Sequence, residues 1–357
     1  PRSTVPPHSH KPPLSFVAAA RNYPNHALSL LDMLLDKDWV LYSPFNDPHK
    51  IRNIGSNNLW WAWGAKNNSF GLENGSRGKF VELFINGNYQ GIYGLMQPID
   101  GPQLSIEQTK NLAVSDFYYR KIHNKLATEQ DLFKRGHRAS SGGFEVRSPK
   151  NLKAAPEKWI PLAAYLRVLG APDDTFAAEI TGMTEMGNAI DVWLLINLVM
   201  GVDNIAKNMG YVAKWNGKRH IMLFSPWDLD ITWGMTWTGE SPLLTKVTLS
   251  PDLPLVFHPE LPAARALSLD VDGSRAKARA RYFVLRKTVL SDVRLAGMLS
   301  ACDADILGSG AYPRNRNHWP SPAFAGDRTP FQLSRTRRLA HMDKALAAMP
   351  PIQSLPR

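Results

Sequence analysis

The residues best suited to chemistry lie close together in the stretch 201–234. Asp203 and Asn208 are five residues apart after an apolar run, and Asp228 and Asp230 follow a β-rich run. Side chains at positions i and i+2 of a strand point the same way, so the last two carboxylates are predicted to face one site. Carboxylate and amide oxygens are the ligands that Mg²⁺ prefers. Asn208, Asp228 and Asp230 are therefore the predicted metal ligands.

The order of these residues indicates phosphoryl transfer. In protein kinases a catalytic-loop Asp orients the acceptor hydroxyl, an Asn five residues later binds metal, and an Asp after a strand pair binds metal between the phosphates. Asp203, Asn208 and Asp228 have the same order and the same first spacing. Asp203 is therefore the predicted catalytic residue. The alternative is that Asp203 only caps a helix and that Asp228 and Asp230 lie in a structural turn.

Two predicted elements position this stretch. The helix 188–201 is apolar on all sides, which is typical of a buried helix. Strands 210–215 and 219–224 follow it and turn at Asn216-Gly217, forming a hairpin that leads to the aspartates. A buried helix and a hairpin thus hold the two ends of the candidate site.

The N-terminal part of the chain has a different pattern. Two β-rich runs, 80–85 and 89–95, flank Asn86-Gly87, a pair that favours a tight type I′ turn. A strand near 39–42 and a helix over 51–64 precede this hairpin, whereas helical patterns dominate from about residue 150. The sequence therefore predicts an α+β fold.

Composition excludes several classes of protein. The chain has 357 residues, 44% hydrophobic and 20% charged, which is typical of a globular protein. Its one cysteine, Cys302, excludes an internal disulfide and a cysteine zinc site. No apolar run is long enough to span a membrane. The net charge of +11 favours an anionic partner, such as a nucleotide, nucleic acid or acidic protein, although solubility alone also explains it.

Four segments of the chain resemble the CotH kinase family, which is named for spore coat protein H. They are Lys37–Tyr42 with Asp47 and Ile51–Asn53, Phe80–Asp100, Ile190–Asp230, and Arg314–Arg316 with Trp319-Pro320. Together they span nearly the whole chain, with 101–185 only weakly matched. By position, Asp203 corresponds to the family's catalytic Asp, Asn208 and Asp228 to its metal ligands, and Asp230 to the second acid of its metal motif.

The resemblance implies an atypical protein kinase fold with two lobes. A β-rich N-lobe would cover 1–105, a connecting and variable segment 106–187, a helical C-lobe 188–300, and a tail packing on the C-lobe 301–357. ATP and Mg²⁺ or Mn²⁺ would be the cofactors. The acceptors would be Ser or Thr hydroxyls of a coat or surface protein, and the location would be secreted or in the cell envelope.

The predicted nucleotide-binding residues depart from the family pattern. The family has a lysine pair that can reach the α- and β-phosphates, whereas here Lys11 is followed by Pro12. Near the end of the 80–95 hairpin the family prefers Glu, and this chain has Gln97. Lys11, Gln97 and Lys121 are the candidate nucleotide-binding residues, with Arg120 as a further substitute.

Three functional classes stay open at this point. The favoured class is an ATP-dependent protein kinase. The second is a CotH-like structural or envelope protein whose catalysis has decayed. The third is a metal-dependent enzyme acting on phosphodiesters, for which the positive charge and paired acids also fit. Nucleic acid is the less favoured partner, because no dispersed cluster of metal-binding acids accompanies the 203–230 segment.

Overall fold

A four-stranded antiparallel sheet forms the N-terminal part of the protein in the computed structural model. Its strands, in the spatial order β1-β2-β4-β3, are β1 (Pro13–Ser15), β2 (Asp38–Tyr42), β3 (Gly78–Ile85) and β4 (Asn88–Met96). β3 and β4 are the predicted hairpin, and Asn86 and Gly87 at its turn both have positive φ, as a type I′ turn requires. The structure describes residues 13–15, 27–124, 127–133, 140–150, 152, 155–237, 245–247, 249–320 and 329–350.

Helix α1 (Arg52–Trp63) packs on this sheet, and it confirms the predicted helix over 51–64. Gly94 of β4 leaves room for α1, since a Cβ there would lie 2.4 Å from Cδ1 of Ile54. Trp60 and Trp63 are buried, so the aromatic face of α1 belongs to the hydrophobic core. Because α1 lies so close to the sheet, the positions of the polar residues of α1 are fixed.

A second antiparallel sheet has five strands in the order β6-β7-β5-β8-β9. These are β5 (Phe117–Lys121), β6 (Ser140–Ser141), β7 (Phe144–Ser148), β8 (Met209–Trp215) and β9 (His220–Pro226). The predicted hairpin of β8 and β9 is confirmed, but the sequence pattern did not reveal the sheet that contains it. One sheet thus joins the predicted connecting segment, 106–187, to the predicted C-lobe. The division into segments stays a prediction.

The helices lie mainly after residue 155. They are α2 (Ile160–Leu169), α3 (Asp173–Glu179), α4 (Met186–Val199), α5 (Ala264–Leu269), α6 (Ser274–Arg286), α7 (Asp292–Asp303), α8 (Ala311–His318) and α9 (Thr329–Ala347). A short pair of strands, β10 (Met235–Trp237) and β11 (Thr245–Val247), lies between α4 and α5 in the chain. Sheets and helices together confirm the α+β class.

Helix α4 is the centre of the core, as predicted for 188–201. Every residue of α4 from Asn188 to Val199 is buried. The same core cluster includes Trp60 of α1 and Leu346 of α9, so α4 packs in one core with helices from both ends of the chain. The stretch 274–303 forms two helices, α6 and α7, because the side chain of Ser291 accepts from the backbone N–H of Arg294 and starts a new helix there.

The part of the chain after α7 divides between two surfaces. α9 packs against α4 and α6, whereas α8 packs against β4. Oδ1 of Asn315 accepts a hydrogen bond from the backbone N–H of Ile92 at 2.9 Å, and the Trp319 indole donates to the carbonyl of Gln90 at 2.8 Å. The Arg314–Pro320 segment therefore holds the β3–β4 hairpin. In the parts of the chain that are described, no helix is long and apolar enough to cross a membrane.

Candidate active site

The first part of the candidate site is the loop that follows α4, residues 200–208, here called the helix-end loop. Met200 adopts a left-handed conformation with φ of 54°, and the N–H of Gly201 donates to the carbonyl of Ile196 at 3.0 Å. This bonding pattern satisfies the last carbonyls of a helix and ends it abruptly. A single 3₁₀ turn, Val202–Asn204, then places Asp203 at the surface of the core.

Both oxygens of the Asp203 carboxylate have partners within this loop. Nζ of Lys207 lies 2.9 Å from Oδ1, and Nδ2 of Asn208 donates to Oδ2 at 2.7 Å. Burial raises the pKa of the Asp203 carboxyl above its ordinary value, Lys207 and Asn208 oppose the rise, and the charge of Asp228 adds to it. The result is a carboxylate of fixed orientation that accepts a proton more readily than an exposed one.

The side chain of Asn208 is oriented by the same hydrogen bond. Its amide nitrogen faces Asp203, so its amide oxygen is the atom suited to a metal. The backbone is held as well: the N–H of Asn208 donates to the carbonyl of Lys121 at 3.1 Å, and its carbonyl accepts from Trp227 at 3.0 Å. Asn208 therefore lies between the end of β5 and the residues that follow β9.

Residues 227–234, here called the acid loop, carry the two predicted metal-binding aspartates. β9 ends at Pro226, and Asp228 is left-handed with φ of 60°. The prediction that Asp228 and Asp230 point the same way from a strand end was therefore wrong, because both lie in the loop beyond the strand. The two loops meet at Trp227, whose backbone N–H donates to the carbonyl of Asn208 at 3.0 Å.

Tyr42 at the end of β2 connects the first sheet to the acid loop. Its hydroxyl hydrogen-bonds with the side chain of Asp230. Burial raises the pKa of Tyr42 well above its ordinary value, and the charges of Asp230, Asp228 and Asp47 raise it further. The buried phenol is thus a neutral hydrogen-bonding group beside a cluster of acids. No role for Tyr42 was evident from the sequence beyond its place in a family segment.

Asn204 is a second residue whose role the sequence did not reveal. Its side chain is fully buried, and Nδ2 donates to the carbonyl of Trp227 at 2.7 Å and to that of Asn208 at 3.3 Å. One amide group thereby ties the helix-end loop to the acid loop. Only its position next to Asp203 could have drawn attention to it.

The donors at this site suit a hard divalent cation. Asn208, Asp228 and Asp230 offer amide and carboxylate oxygens, without sulfur or imidazole. Within the described ranges, no group of three or more His, Cys, Asp or Glu residues could hold a metal ion. Mg²⁺ in phosphotransferases takes one or two carboxylates and completes its shell with water and substrate phosphates. The residues therefore fit a cation that binds together with a phosphorylated substrate, and they do not fit a closed structural metal site.

The three candidate nucleotide-binding residues fall in different places. Lys11 lies outside the described residues. Lys121 is buried in β5, where Nζ forms an ion pair with the carboxylate of Glu260 and lies 5.1 Å from the ring centre of Phe144. Burial lowers the pKa of Lys121, and Glu260 opposes this shift. Lys121 reaches the site through its carbonyl, which accepts from Asn208.

Gln97 is held just after β4. Its Oε1 accepts from Nε of Arg77 at 3.0 Å, and its Nε2 donates to the carbonyl of Leu34 at 3.4 Å. Both hydrogen bonds join local segments of the N-terminal region. The structure thus places Gln97 in the support of the first sheet, and its predicted contact with a nucleotide stays untested. Arg120, the further substitute, forms an ion pair with Glu145.

The order Asp203, Asn208 and Asp228 on an α+β fold indicates the class of kinase-like phosphotransferases. The model of the CotH kinase protein family matches residues 14–342, nearly the whole chain. The chain belongs to the CotH kinase family, which confirms the resemblance carried by its four sequence segments. A search of curated proteins finds no match.

Proposed function

We propose that the protein transfers the γ-phosphoryl group of ATP to Ser or Thr hydroxyls of a protein substrate, with Mg²⁺ or Mn²⁺. The observation that carries this proposal is the side-chain hydrogen bond from Asn208 to Asp203. The backbone carbonyl of Asn208 also accepts a hydrogen bond from the N–H of Trp227, the residue before Asp228. A group suited to accept a proton and two groups suited to hold a cation thus share one rigid unit.

Asp203 would orient the acceptor hydroxyl and take its proton. Phosphoryl transfer needs the hydroxyl held in line with the phosphate more than it needs covalent help from the protein. The raised pKa of Asp203 makes it a better proton acceptor, and the hydrogen bond from Asn208 fixes which way the carboxylate faces. The ammonium of Lys207 would leave Asp203 and contact the negatively charged phosphoryl group during transfer.

Asn208 and Asp228 would hold the cation, with Asp230 as the second acid. When bound there, a divalent cation would neutralise negative charge that develops on the phosphates during transfer. Asn204 keeps the two loops at a fixed separation through its paired hydrogen bonds to backbone carbonyls. Lys11 and Lys121 are proposed to act on the nucleotide, for which Nζ of Lys121 would have to leave its ion pair with Glu260. A coat or surface protein as substrate and a secreted or cell-envelope location, both implied by the sequence resemblance, are part of the proposal.

The direct test is transfer of radiolabelled phosphate from ATP to a generic Ser/Thr acceptor, with Mg²⁺ and Mn²⁺ compared. Nucleotide binding is measured on the same sample as the rise in unfolding temperature on adding ATP and metal, because a ligand of the native state stabilises it. Metal-dependent transfer would establish the proposal. A sample that neither binds ATP nor transfers phosphate would contradict it and favour a structural protein with decayed catalysis. Cleavage of a phosphodiester substrate would favour the third class.

A further inference from the structure

One face of α1 presents polar side chains to the acid loop. Oδ1 of Asn53 accepts from the backbone N–H of Leu229 at 2.9 Å. Nε of Arg52 donates to the carbonyl of Thr232 at 3.0 Å. The hydroxyl of Ser56 accepts from the indole of Trp233 at 3.0 Å. Three positions along the acid loop are therefore held by three residues of the first turns of one helix.

Asn53 is the contact closest to the two aspartates. Leu229 stands between Asp228 and Asp230, so a bond to its N–H fixes the peptide group that joins it to Asp228. Asn53 is itself locked, because it is buried and the same Oδ1 accepts from Nδ2 of Asn57 at 2.8 Å. Its rotation would break two hydrogen bonds at once.

The acid loop needs such a support because part of its backbone is left-handed. Asp228 has a φ of 60° and Trp233 a φ of 55°, in a region that residues other than glycine adopt uncommonly. Such conformations persist only where the surroundings hold them. Loss of the acceptor at Asn53 would leave the Leu229 N–H buried without its partner. The fully buried side chain of Leu229 would still anchor the loop by packing, so the peptide could turn without the loop leaving its place.

We propose that Asn53 is a positioning residue for the cation site, which it serves by fixing the peptide between Asp228 and Leu229 and thereby the direction of the Asp228 carboxylate. This inference rests on the proposed function, because it assumes that Asp228 binds a divalent cation together with a nucleotide. Outer-shell partners of this kind orient metal ligands without touching the metal.

A matched control exists at Asn188 of α4. This residue is also a buried asparagine on a helix, and its Oδ1 accepts from the backbone N–H of Phe224 at 2.7 Å. Its Nδ2 donates to the carbonyl of the same residue at 3.1 Å. Asn188 thus supports the strand β9, whereas Asn53 supports the loop beyond it. A variant at either position removes the same kind of hydrogen bond.

The test compares Asn53→Leu with Asn188→Leu. Mn²⁺ binding in the presence of a non-hydrolysable ATP analogue is followed by electron paramagnetic resonance, and stability by urea unfolding. We expect Asn53→Leu to weaken Mn²⁺ binding roughly 10–100-fold, the range found for outer-shell partners. Asn188→Leu is expected to lose stability while its Mn²⁺ affinity stays close to that of the unmodified protein. Equal Mn²⁺ affinities in the two variants would overturn the proposal.

A third variant, Asn53→Asp, tests rescue. Its carboxylate keeps an acceptor for the Leu229 N–H, so Mn²⁺ affinity should be retained even where stability falls. If Asn53→Leu does not fold, this variant decides alone, since retained affinity supports the role and a 10–100-fold loss overturns it. Failure of the unmodified protein to bind Mn²⁺ and nucleotide would overturn the proposed function together with this inference. Normal binding that is unchanged in Asn53→Leu would overturn the inference only.

Discussion

The helix-end loop is held mainly by its own residues, whereas the acid loop is held by a helix that lies far away in the chain. Asp203 bonds to Lys207 and Asn208, four and five residues later. Leu229 of the acid loop bonds to Asn53, 176 residues earlier. The two loops meet at one site, but only the first contains the bonds that shape it.

This difference separates two requirements of the site. The proton-accepting group needs a fixed direction, and a short loop after a buried helix supplies it locally. The proposed cation ligand Asp228 is left-handed, and α1 holds the peptide that follows it. Changes in α1 should therefore affect cation binding and changes at Asp203 should affect proton transfer, whereas Asn208 is the one residue of the helix-end loop on the cation side.

Asp228→Asn should cause the largest loss of phosphoryl transfer. If it caused no loss, the contrast between the two loops would be wrong. We expect transfer to fall by more than the roughly 10–100-fold typical of outer-shell partners, because a charged metal ligand is lost. The fold should be retained, since Asp228 lies half-buried in a loop. Transfer assays at several Mg²⁺ concentrations measure the loss, and Asp173→Asn, at an exposed carboxylate on α3, is the control. Full transfer by Asp228→Asn would remove the acid loop from the cation site.

Arg52→Met should cause the next largest effect, on stability. Arg52 and Asp47 form a buried ion pair at the start of α1, and removing one partner of such a pair costs about 3–5 kcal/mol. The matched change is Arg281→Met, because the Arg281 side chain that pairs with buried Asp191 is 30% exposed, whereas that of Arg52 is fully buried. Urea unfolding should show a smaller loss for Arg281→Met. Equal losses would show that α1 is no more critical than the pairing on α4.

Lowering the pH should reduce the difference in the free energy of unfolding between Arg52→Met and the unmodified protein. Burial would raise the pKa of Asp47, but the Arg52 guanidinium and two backbone N–H groups outweigh it and hold the pKa below its ordinary value. A lowered pKa in the folded state stabilises the protein above the unfolded-state pKa, and this contribution is lost as pH falls through the folded-state value. The measurement is the free energy of unfolding at a series of acid pH values.

Asp203→Ala tests the other loop. It should lower transfer roughly 10²-fold or more, the scale for an acid–base residue, while nucleotide and metal still bind. The reason is that Asn208 keeps its backbone bonds to Lys121 and Trp227. Transfer and ATP-dependent stabilisation are measured on one sample. Loss of nucleotide binding together with transfer would show that the two loops are not separable.

Lys207→Met should have the smallest effect. The Lys207 ammonium is one-third exposed, and such pairs contribute only about 0.2–1 kcal/mol. Lys207 opposes the rise in the pKa of Asp203, so its removal should raise that pKa further. A proton acceptor works only when ionised, and the acid limb of the kcat/KM profile should therefore move to higher pH. Lys277→Met, at an exposed pair with Asp272, should leave the profile in place.

The sequence predicts those parts of the molecule whose contacts are local. Hairpins with Asn-Gly turns, the apolar helix α4 and the spacing of Asp203 and Asn208 all involve residues near one another in the chain. Local spacing also points to a kinase-like site, since the helix-end loop carries most of its own geometry.

The residues that support the acid loop cannot be recognised from the local sequence pattern. Asn53 and Asn204 are buried amides, and asparagine in a sequence ordinarily indicates a surface or a turn. Their hydrogen-bond partners are backbone groups that come close only when α1 and β9 pack. The spacing of residues in the sequence therefore does not reveal them. The ion pair of Lys121 with Glu260 is hidden for the same reason, because 139 residues separate its members.

The contact of α8 with the first sheet has a consequence for the timing of synthesis. Asn315 bonds to Ile92 across 223 residues. At a synthesis rate of roughly 5–20 residues per second, about 10–45 s pass between the synthesis of the β3–β4 hairpin and that of Asn315. Through most of translation the sheet that carries Tyr42 lacks its final brace, and the acid loop has not yet been made when α1 leaves the ribosome. The hydrogen bond between Tyr42 and Asp230 can therefore form only after the acid loop has been made, and the first sheet gains its contact with α8 later still.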